Sequence, residues 1–566
     1  NLSILAATGV FNLLSSNAFA QESRQPQSVA VSPTGSVAGI ALSSENGDTS
    51  ALMYRDTADN SIWARVSDGR GLQWSAPIQL DDDASGASKQ SSKHSVHVDQ
   101  DRIFAAWFDK RNGANDDIYF QSSADGGATW LPSDKRLDDG FAKGARDASD
   151  FRLSSSGNDV VALIATKDGD HDLYLTWSKD SGANWDSAVA ATTHNGLADV
   201  DDIAIACSND FAYIVWRDNF TNGVDDTVWL SVFDISNEVF TAQDINVSPN
   251  LVAAGGDADD AVAVAVDENF LAILYHADNL GGTAEQVRVN LSADLGLSWS
   301  GDQQVGLYDN TVANHDADNG TLIVEDGFVA VAWQDNRSGQ DEVYVTYADM
   351  LLGAFVPDVL CSSSATGSGP PQLSGEFDGE PLAVAWTETP GRVLKARYMR
   401  NWSWSQSFVI SANAGDVSNA RMSWNDLYDN FSLMWLADDT LTQQAVVGGF
   451  RAHQVSADPI TAGGVATFDL IGFGPGRTFQ VAASGSLASL PLPDGRDLGL
   501  AYDTILQTTK SLSPLGGVIN GSGKATTAPV TVPPNMAGST IYLIAVTFKN
   551  SGEFEDLSDA VAVLVQ

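Results

Sequence analysis

The sequence predicts an all-β chain, and three observations predict it. Short apolar runs alternate with period two, as in Phe211-Ala-Tyr-Ile-Val-Trp216, or Phe328-Val-Ala-Val-Ala-Trp333 followed by Val343-Tyr-Val-Thr-Tyr347. Such runs, set between Asn, Asp and Gly clusters, read as antiparallel strands. One run per unit ends on an aromatic residue and then an acidic one. These aromatics are Tyr54, Trp107, Trp216, Tyr275, Trp333, Trp386 and Trp435, and an eighth unit passes through Ala165, where the aromatic is lost. Their spacing of about fifty to sixty residues suits one four-stranded unit of a ring. The third observation is an eight-residue signature, S-x-D-x-G-x-x-W. It reads Ser123-Ala-Asp125-Gly-Gly127-Ala-Thr-Trp130, Ser178-Lys-Asp180-Ser-Gly182-Ala-Asn-Trp185 and Ser292-Ala-Asp294-Leu-Gly296-Leu-Ser-Trp299. A degenerate copy, Ser67-Asp68-Gly69-Arg-Gly71, ends at Trp74. No stretch carries a long amphipathic helix pattern.

The elements follow in order. Residues 1–20 hold an apolar run and Ala18-Phe-Ala20, which read as the core and cleavage site of a secretory signal peptide, truncated at its charged start. Residues 21–455 are expected to form a β-propeller of eight blades, or seven if the first or last unit is only part of a closing blade. In each signature the Ser and Asp can accept backbone N–H groups in a tight turn, the Gly allows positive φ, and the Trp packs over the turn. The Trp130, Trp185 and Trp299 rings are expected to be buried, with Asp125, Asp180 and Asp294 capping the turn. Residues 456–566 change texture. Gly and Pro punctuate short apolar strands such as Phe468-Asp-Leu-Ile-Gly-Phe-Gly-Pro475 and Ser539-Thr-Ile-Tyr-Leu-Ile-Ala-Val-Thr547, which fits a β-sandwich.

The signature resembles the Asp box of sialidase-like (BNR-repeat) β-propellers. That resemblance implies a propeller in which the boxes are structural and lie away from the active site. Sialidase catalytic domains of this family have six blades, an arginine triad for the substrate carboxylate, a Tyr/Glu nucleophile pair and an acid/base Asp. They also carry a Phe/Tyr-Arg-Ile-Pro motif near the first blade. Here the nearest string is Phe151-Arg152-Leu-Ser, without the Pro and in the third unit, and no Tyr/Glu pair stands out. The resemblance therefore implies the architecture and not sialidase turnover. The C-terminal part resembles the β-sandwich appended to many secreted bacterial proteins.

Composition bounds the partners. With 73 acidic and 30 basic residues the formal net charge is −43, which argues against nucleic acid, whose phosphates need a basic footprint. The acidity reads as a solvated surface or as divalent-cation binding, with Ca2+ the candidate. No later stretch is long and apolar enough to span a membrane. The chain is expected to be a secreted or periplasmic bacterial monomer. Cys207 and Cys361 fall in non-adjacent units and are expected to be free, mostly buried thiols.

Propeller geometry places the links into the inner strands and the loops after the second strands on one face, here called the top. Five units carry a tetrad just before the inner strand: Asp147-Ala-Ser-Asp150, Asp199-Val-Asp-Asp202, Asp257-Ala-Asp-Asp260, Asp316-Ala-Asp-Asn319 and Asp416-Val-Ser-Asn419. Three readings stand: capping of turn amides, a ring of carboxylates holding a cation, and paired catalytic acids. The cation reading names Asp147, Asp150, Asp199, Asp202, Asp257, Asp260 and Asp316. After the aromatics come Asp109-Lys-Arg111, Arg217-Asp218 and Asp335-Asn-Arg337, whose arginine forks could grip an anion or pair with the tetrad acids. His94, His97, His276 and His315 complete the candidate ligand face, with His171 and His194 on the same side. The favoured role is recognition of a glycan or other extracellular ligand by this face. The alternatives are a glycoside hydrolase acting on acidic sugars and an extracellular scaffold or adhesion protein.

Overall fold

The computed structural model describes residues 29–30, 37–44, 49–67, 74–82, 93–138, 142–167, 171–249, 251, 255–278, 285–305, 316–362, 364, 366–377, 381–388, 393–400, 403–405, 407–411, 416–425, 430–439, 442–450, 454–457, 460–471, 473, 476–488, 490, 498, 500–520, 524–548, 554–558 and 561–566. The signal-peptide reading, residues 68–73 of the degenerate signature and His315 lie outside these residues, as does the side chain of Asp260.

Between residues 29 and 450 the strands form eight antiparallel sheets of four or five strands, taken almost wholly in chain order. The inner strands are Val37–Ser44, His94–Asp99, Ala148–Ser156, Val200–Ser208, Ala258–Asp267, Ala317–Glu325, Gln372–Gly375 and Asp416–Asn425. Each inner strand touches the next, and the last touches the first, so the ring closes. Closure is sealed by Val29–Ala30, which pairs with the outer edge of Thr442–Phe450. This is a β-propeller, and no helix among the described residues is long and apolar enough to cross a membrane.

The ring is held by apolar layers between neighbouring sheets. Tyr54, Trp107, Trp216, Tyr275, Trp333, Trp386 and Trp435, the repeating aromatics, are at most 1% exposed. Each sits in a cluster that joins one sheet to its neighbour, as Trp216 does with Leu175 and Trp177 of the preceding sheet. Burying such a side chain is worth about 2–3 kcal/mol, which explains a spacing kept through seven units.

The acid two or three residues after the aromatic has a repeated job. The Trp216 and Trp386 indole N–H groups donate to Asp218 (2.8 Å) and Glu388 (3.0 Å). Asp109, Asp218 and Asp335 also accept the backbone N–H two residues on, at 2.7, 3.1 and 2.8 Å.

The signature turns behave alike on the opposite face. Ser123 Oγ accepts the Gly127 N–H and Asp125 accepts the Thr129 N–H, both at 2.8 Å. The same pair recurs at Gly182 and Asn184, and at Gly296 and Ser298. Gly182 has φ +85°, and a Cβ there would come within 2.2 Å of Phe120 in the preceding sheet. The expected burial of the Trp rings needs correction: Trp130, Trp185 and Trp299 are only half-buried. Each lies over its own turn and packs one face on the neighbouring sheet, Trp185 edge-on to Phe120 at 5.0 Å, so the other face stays wet.

The tetrads mark a bulge. Pairing of the inner strand with the second strand slips at Ala148/Asp150, Asp201/Ile203, Asp259/Val262, Asp318/Thr321 and Ser418/Arg421. Asn319 and Asn419 take φ of 53° and 50°, a conformation their short amide side chains tolerate. Asp147 and Asp257 reach back to the preceding sheet and accept the N–H groups of Asp116 (2.9 Å) and Asp226 (2.5 Å).

Beyond residue 454, strands Thr478–Ser484 and Thr540–Phe548 centre one sheet, with Gly516–Val518, Phe554–Leu557 and Val561–Leu564 beside them. Gln454–Ala457, Phe468–Ile471 and Lys524–Thr526 form another, and Val455, Leu470, Val481 and Leu543 share one core. A short helix, Thr504–Thr509, capped by Asp503, was absent from the sequence reading. Both cysteines are free, and burial pushes each thiol up to about 12.

Candidate functional site

The top face gathers the loops after the second strands and the links between sheets, and here the sequence candidates separate by partner. Arg111 Nε and Nη2 both reach Asp109 Oδ2, at 2.9 and 2.6 Å, while Nη1 donates to Asp82 (2.8 Å) and Nη2 meets Asp134 (2.9 Å). Its guanidinium lies 3.9 Å over the Tyr119 ring. Arg337 repeats this with Asp335, Asp358 and Tyr344. Arg217 joins Asp202 and Asp226 and donates to the Ala258 carbonyl. The three guanidiniums therefore do not come together. Each is met by carboxylates on its own side of the ring; only Arg217 pairs with a tetrad acid, Asp202, while Arg111 and Arg337 pair with other acids.

Several tetrad acids have basic partners, and Asp150 and Asp202 from adjacent tetrads both act on Lys93. Asp150 is bridged by Lys93 and Arg152, Asp202 by Arg217, and Asp147 by Lys167 at 3.4 Å. Asp199 and Asp316 are exposed, and their own N–H groups donate to Asn219 and Asn336. Among the described residues two other groups bring three ligand atoms within 4.8 Å: His276 with Glu285 and Asp318, and Asp267 with Glu325 and Asp326. His276 Nε2 accepts the Gly320 N–H at 3.0 Å. Its proton therefore sits on Nδ1, which faces Glu285 at 3.2 Å. That tautomer is a hydrogen-bond donor, not a metal ligand.

Crowding shifts several acids. Burial, then the facing Asp82, raises Asp134 to about 7, and burial with Asp117 raises Asp138 to about 7. Burial, with the Asp201 and Asp257 charges, lifts Asp226 to about 6 against Arg217.

A different cation set meets no acid among the described residues. The inner strands of the eighth, first and second sheets are neighbours. His94 opens the second, opposite Trp107, and packs so closely on Gly39 (φ +67°) that a Cβ there would meet its ring at 2.4 Å. Burial, then the charges of Arg55 and Arg421, lowers His94 to about 4. Arg55, next to last in the second strand of the first sheet, donates to Asn60 (2.8 Å), and Arg421 donates to the Ala420 carbonyl. Neither has a carboxylate partner among the described residues. Arg421 is solvent-exposed on an inner strand, yet the surrounding protein lowers its pKa by desolvation. His97, one turn of the pleat further in, is stacked on Phe104 and lowered by burial.

Two further features share this face. The seventh inner strand, Gln372–Gly375, has 4 residues where the eighth has 10. The shortfall opens a cavity of about 310 Å³ lined by Asp341, Ser368, Thr387, Ser418 and Asn419 among others. At the fourth sheet, His194 donates to Asp218 at 2.6 Å and stacks under Phe220. Sequence reasoning missed Arg55, Arg421, Phe220 and the cavity. The available signals were the missing Asp tetrad before Gln372 and the Phe at the place where Arg111 and Arg337 stand.

The fold is a β-propeller whose polar top face pairs Arg111, Arg217 and Arg337 with acids and leaves Arg55 and Arg421 without one among the described residues. No protein-family model matches the chain, and no curated protein matches it in sequence. Among solved structures it is similar to an ulvan lyase of a polysaccharide lyase family, bound to -[GlcA(1-4)Rha3S]-, at 12% identity over 66% of this chain and 96% of that one, TM-score 0.42. It is also similar to Trypanosoma rangeli sialidase (12% identity, 77% and 89% covered, TM-score 0.34) and to an α-L-arabinofuranosidase from Fusarium graminearum (10% identity, 75% and 97%, TM-score 0.35). At these scores the likeness is one of fold and carries no argument about activity.

Proposed function

We propose that this protein is an exported glycan-binding propeller whose top face takes an anionic polysaccharide. One observation carries the reading. In a chain of net charge −43, the arginines at the second, fourth and sixth sheets are neutralised by adjacent acids, while Arg55 and Arg421, whose charges act on His94, meet none among the described residues. Leaving two guanidiniums uncompensated where acids are abundant fits an anionic partner, sulfate or carboxylate, which an arginine fork can hold in two-point contact. The nearby cavity, walled by hydroxyls, an amide and the Asp341 carboxylate, supplies the mixed polar lining that sugar hydroxyls need. Microcalorimetry with dextran sulfate, alginate and unmodified dextran tests the reading. Binding of either anionic polymer that weakens with salt, with none to dextran at this cluster, supports it. Equal binding of dextran and dextran sulfate removes it.

A further inference from the structure

The fourth sheet breaks the pattern of its neighbours in a way that suggests a second subsite. At the second and sixth sheets the residue two after the capping acid is an arginine, Arg111 or Arg337, stacked on Tyr119 or Tyr344 and closed off by acids. At the fourth sheet the same place holds Phe220, with Trp229 where those tyrosines stand, opposite Trp216. Phe220 lies parallel to the His194 imidazole, centroids 3.8 Å apart and planes 8° from parallel, and His194 meets Trp229 edge-on at 4.6 Å. Asp218 fixes the whole stack: it accepts from His194 Nδ1, from Trp216 Nε1 and from the Phe220 backbone N–H. His194 and Asp218 are buried at 2% and 0% exposure, whereas Phe220 is 44% exposed. One face of the ring is thus held rigid and the other is offered to solvent.

We propose that the open face of Phe220 is a stacking platform for one uncharged pyranose ring of a glycan, a reading that rests on the glycan-binding role above. The C–H groups of a pyranose face carry slight positive charge and meet the negative face of an aromatic ring. The platform is ready-made, so little ordering is lost on binding. Leu197 and Val224, 68% and 77% exposed, lie on the two segments that carry His194 and Phe220. Those segments are joined where the Asp199 N–H donates to Asn219. Asn222 and Asp225 from the same loop give the polar rim that sugar hydroxyls require. Asp199 and Asp225 also select charge: beside them an anionic sugar is repelled, so the occupant is a neutral unit.

The test uses saturation-transfer NMR and microcalorimetry on the full chain with cellohexaose, mannohexaose and xylohexaose. Transfer from aromatic protons to the sugar ring protons of at least one of them is expected, with a shift of the His194 imidazole signals. Phe220→Ala should weaken that binding at least about tenfold and Phe220→Trp should keep it within about threefold. Because Phe220 is half-exposed, unfolding of the Ala variant is not expected, and the Trp variant decides if it occurs. No perturbation of Phe220 or His194 by any of the three sugars overturns the proposal. So does binding unchanged in Phe220→Ala, or concentration-dependent dimerisation abolished by it, which would assign the patch to a second copy. Dextran sulfate binding is measured in parallel. If it persists while the neutral sugars fail, only the platform falls; if both fail, the glycan reading falls with it.

Discussion

Single residues decide where this ring tolerates change. Gly182 combines positive φ with contact against Phe120, so Gly182→Ala should cost about 2–3 kcal/mol, read from the urea midpoint. A substitution at the equally left-handed Gly223, where nothing lies within 4 Å, carries only the backbone strain and should cost less. At the cationic cluster the effect is electrostatic. His94 is held near 4 by burial first and by Arg55 and Arg421 next. Arg421→Ala removes one like charge, so the His94 pKa should rise part of the way towards 6.5 in an NMR titration. An unchanged value would mean that Arg421 is too well solvated to act on the ring.

At the scale of one sheet, the ion clusters are structural units. Arg111 is 13% exposed and faces Asp109, Asp82 and Asp134 together. Arg111→Ala leaves buried carboxylates uncompensated and should cost about 3–5 kcal/mol in urea unfolding while leaving polysaccharide binding intact. Loss of binding at unchanged stability would return this arginine to the ligand site. The same clusters show what the sequence could and could not tell. The aromatic repeat and the capping role of Asp125, Asp180 and Asp294 were legible because each is a local pattern with a local cause, whereas the tetrads were visible as a repeat but not as strand bulges. Whether an arginine is free was not legible. Asp134 and Asp358, which close off Arg111 and Arg337, stand more than twenty residues away in sequence. Arg421 differs from them only in what does not surround it, a property of space and not of spacing. The half-exposure of Trp130 was hidden for a like reason: its turn packs one ring face and leaves the other to water.

For the molecule as a whole, the surplus of acid sets the pH response and the choice of partner. Asp134 and Asp138 at about 7 and Asp226 at about 6 lie above the unfolded value near 3.9, so the folded state binds more protons between about pH 4 and 7. Stability should therefore fall as pH rises through that window. The turn acids Asp125, Asp180 and Asp294 are lowered, so their contribution is present above about pH 4 and lost as pH falls below it. His94, lowered to about 4, and His97, lowered by burial, act the other way and offset part of this fall below about pH 6.5. The melting temperature by calorimetry should accordingly peak near about pH 4 and decline towards pH 7; a steady rise from pH 4 to 7 would contradict the crowding of these carboxyls. The proposed anionic partner rests on Arg55 and Arg421, which meet no carboxylate among the described residues. The most direct test is the affinity of dextran sulfate for the native chain and for the Arg55→Ala/Arg421→Ala double variant, at two salt concentrations. The native chain should bind with a marked salt dependence, and the double variant should lose at least about tenfold in affinity with its fold intact. Undiminished binding by the double variant would contradict the account.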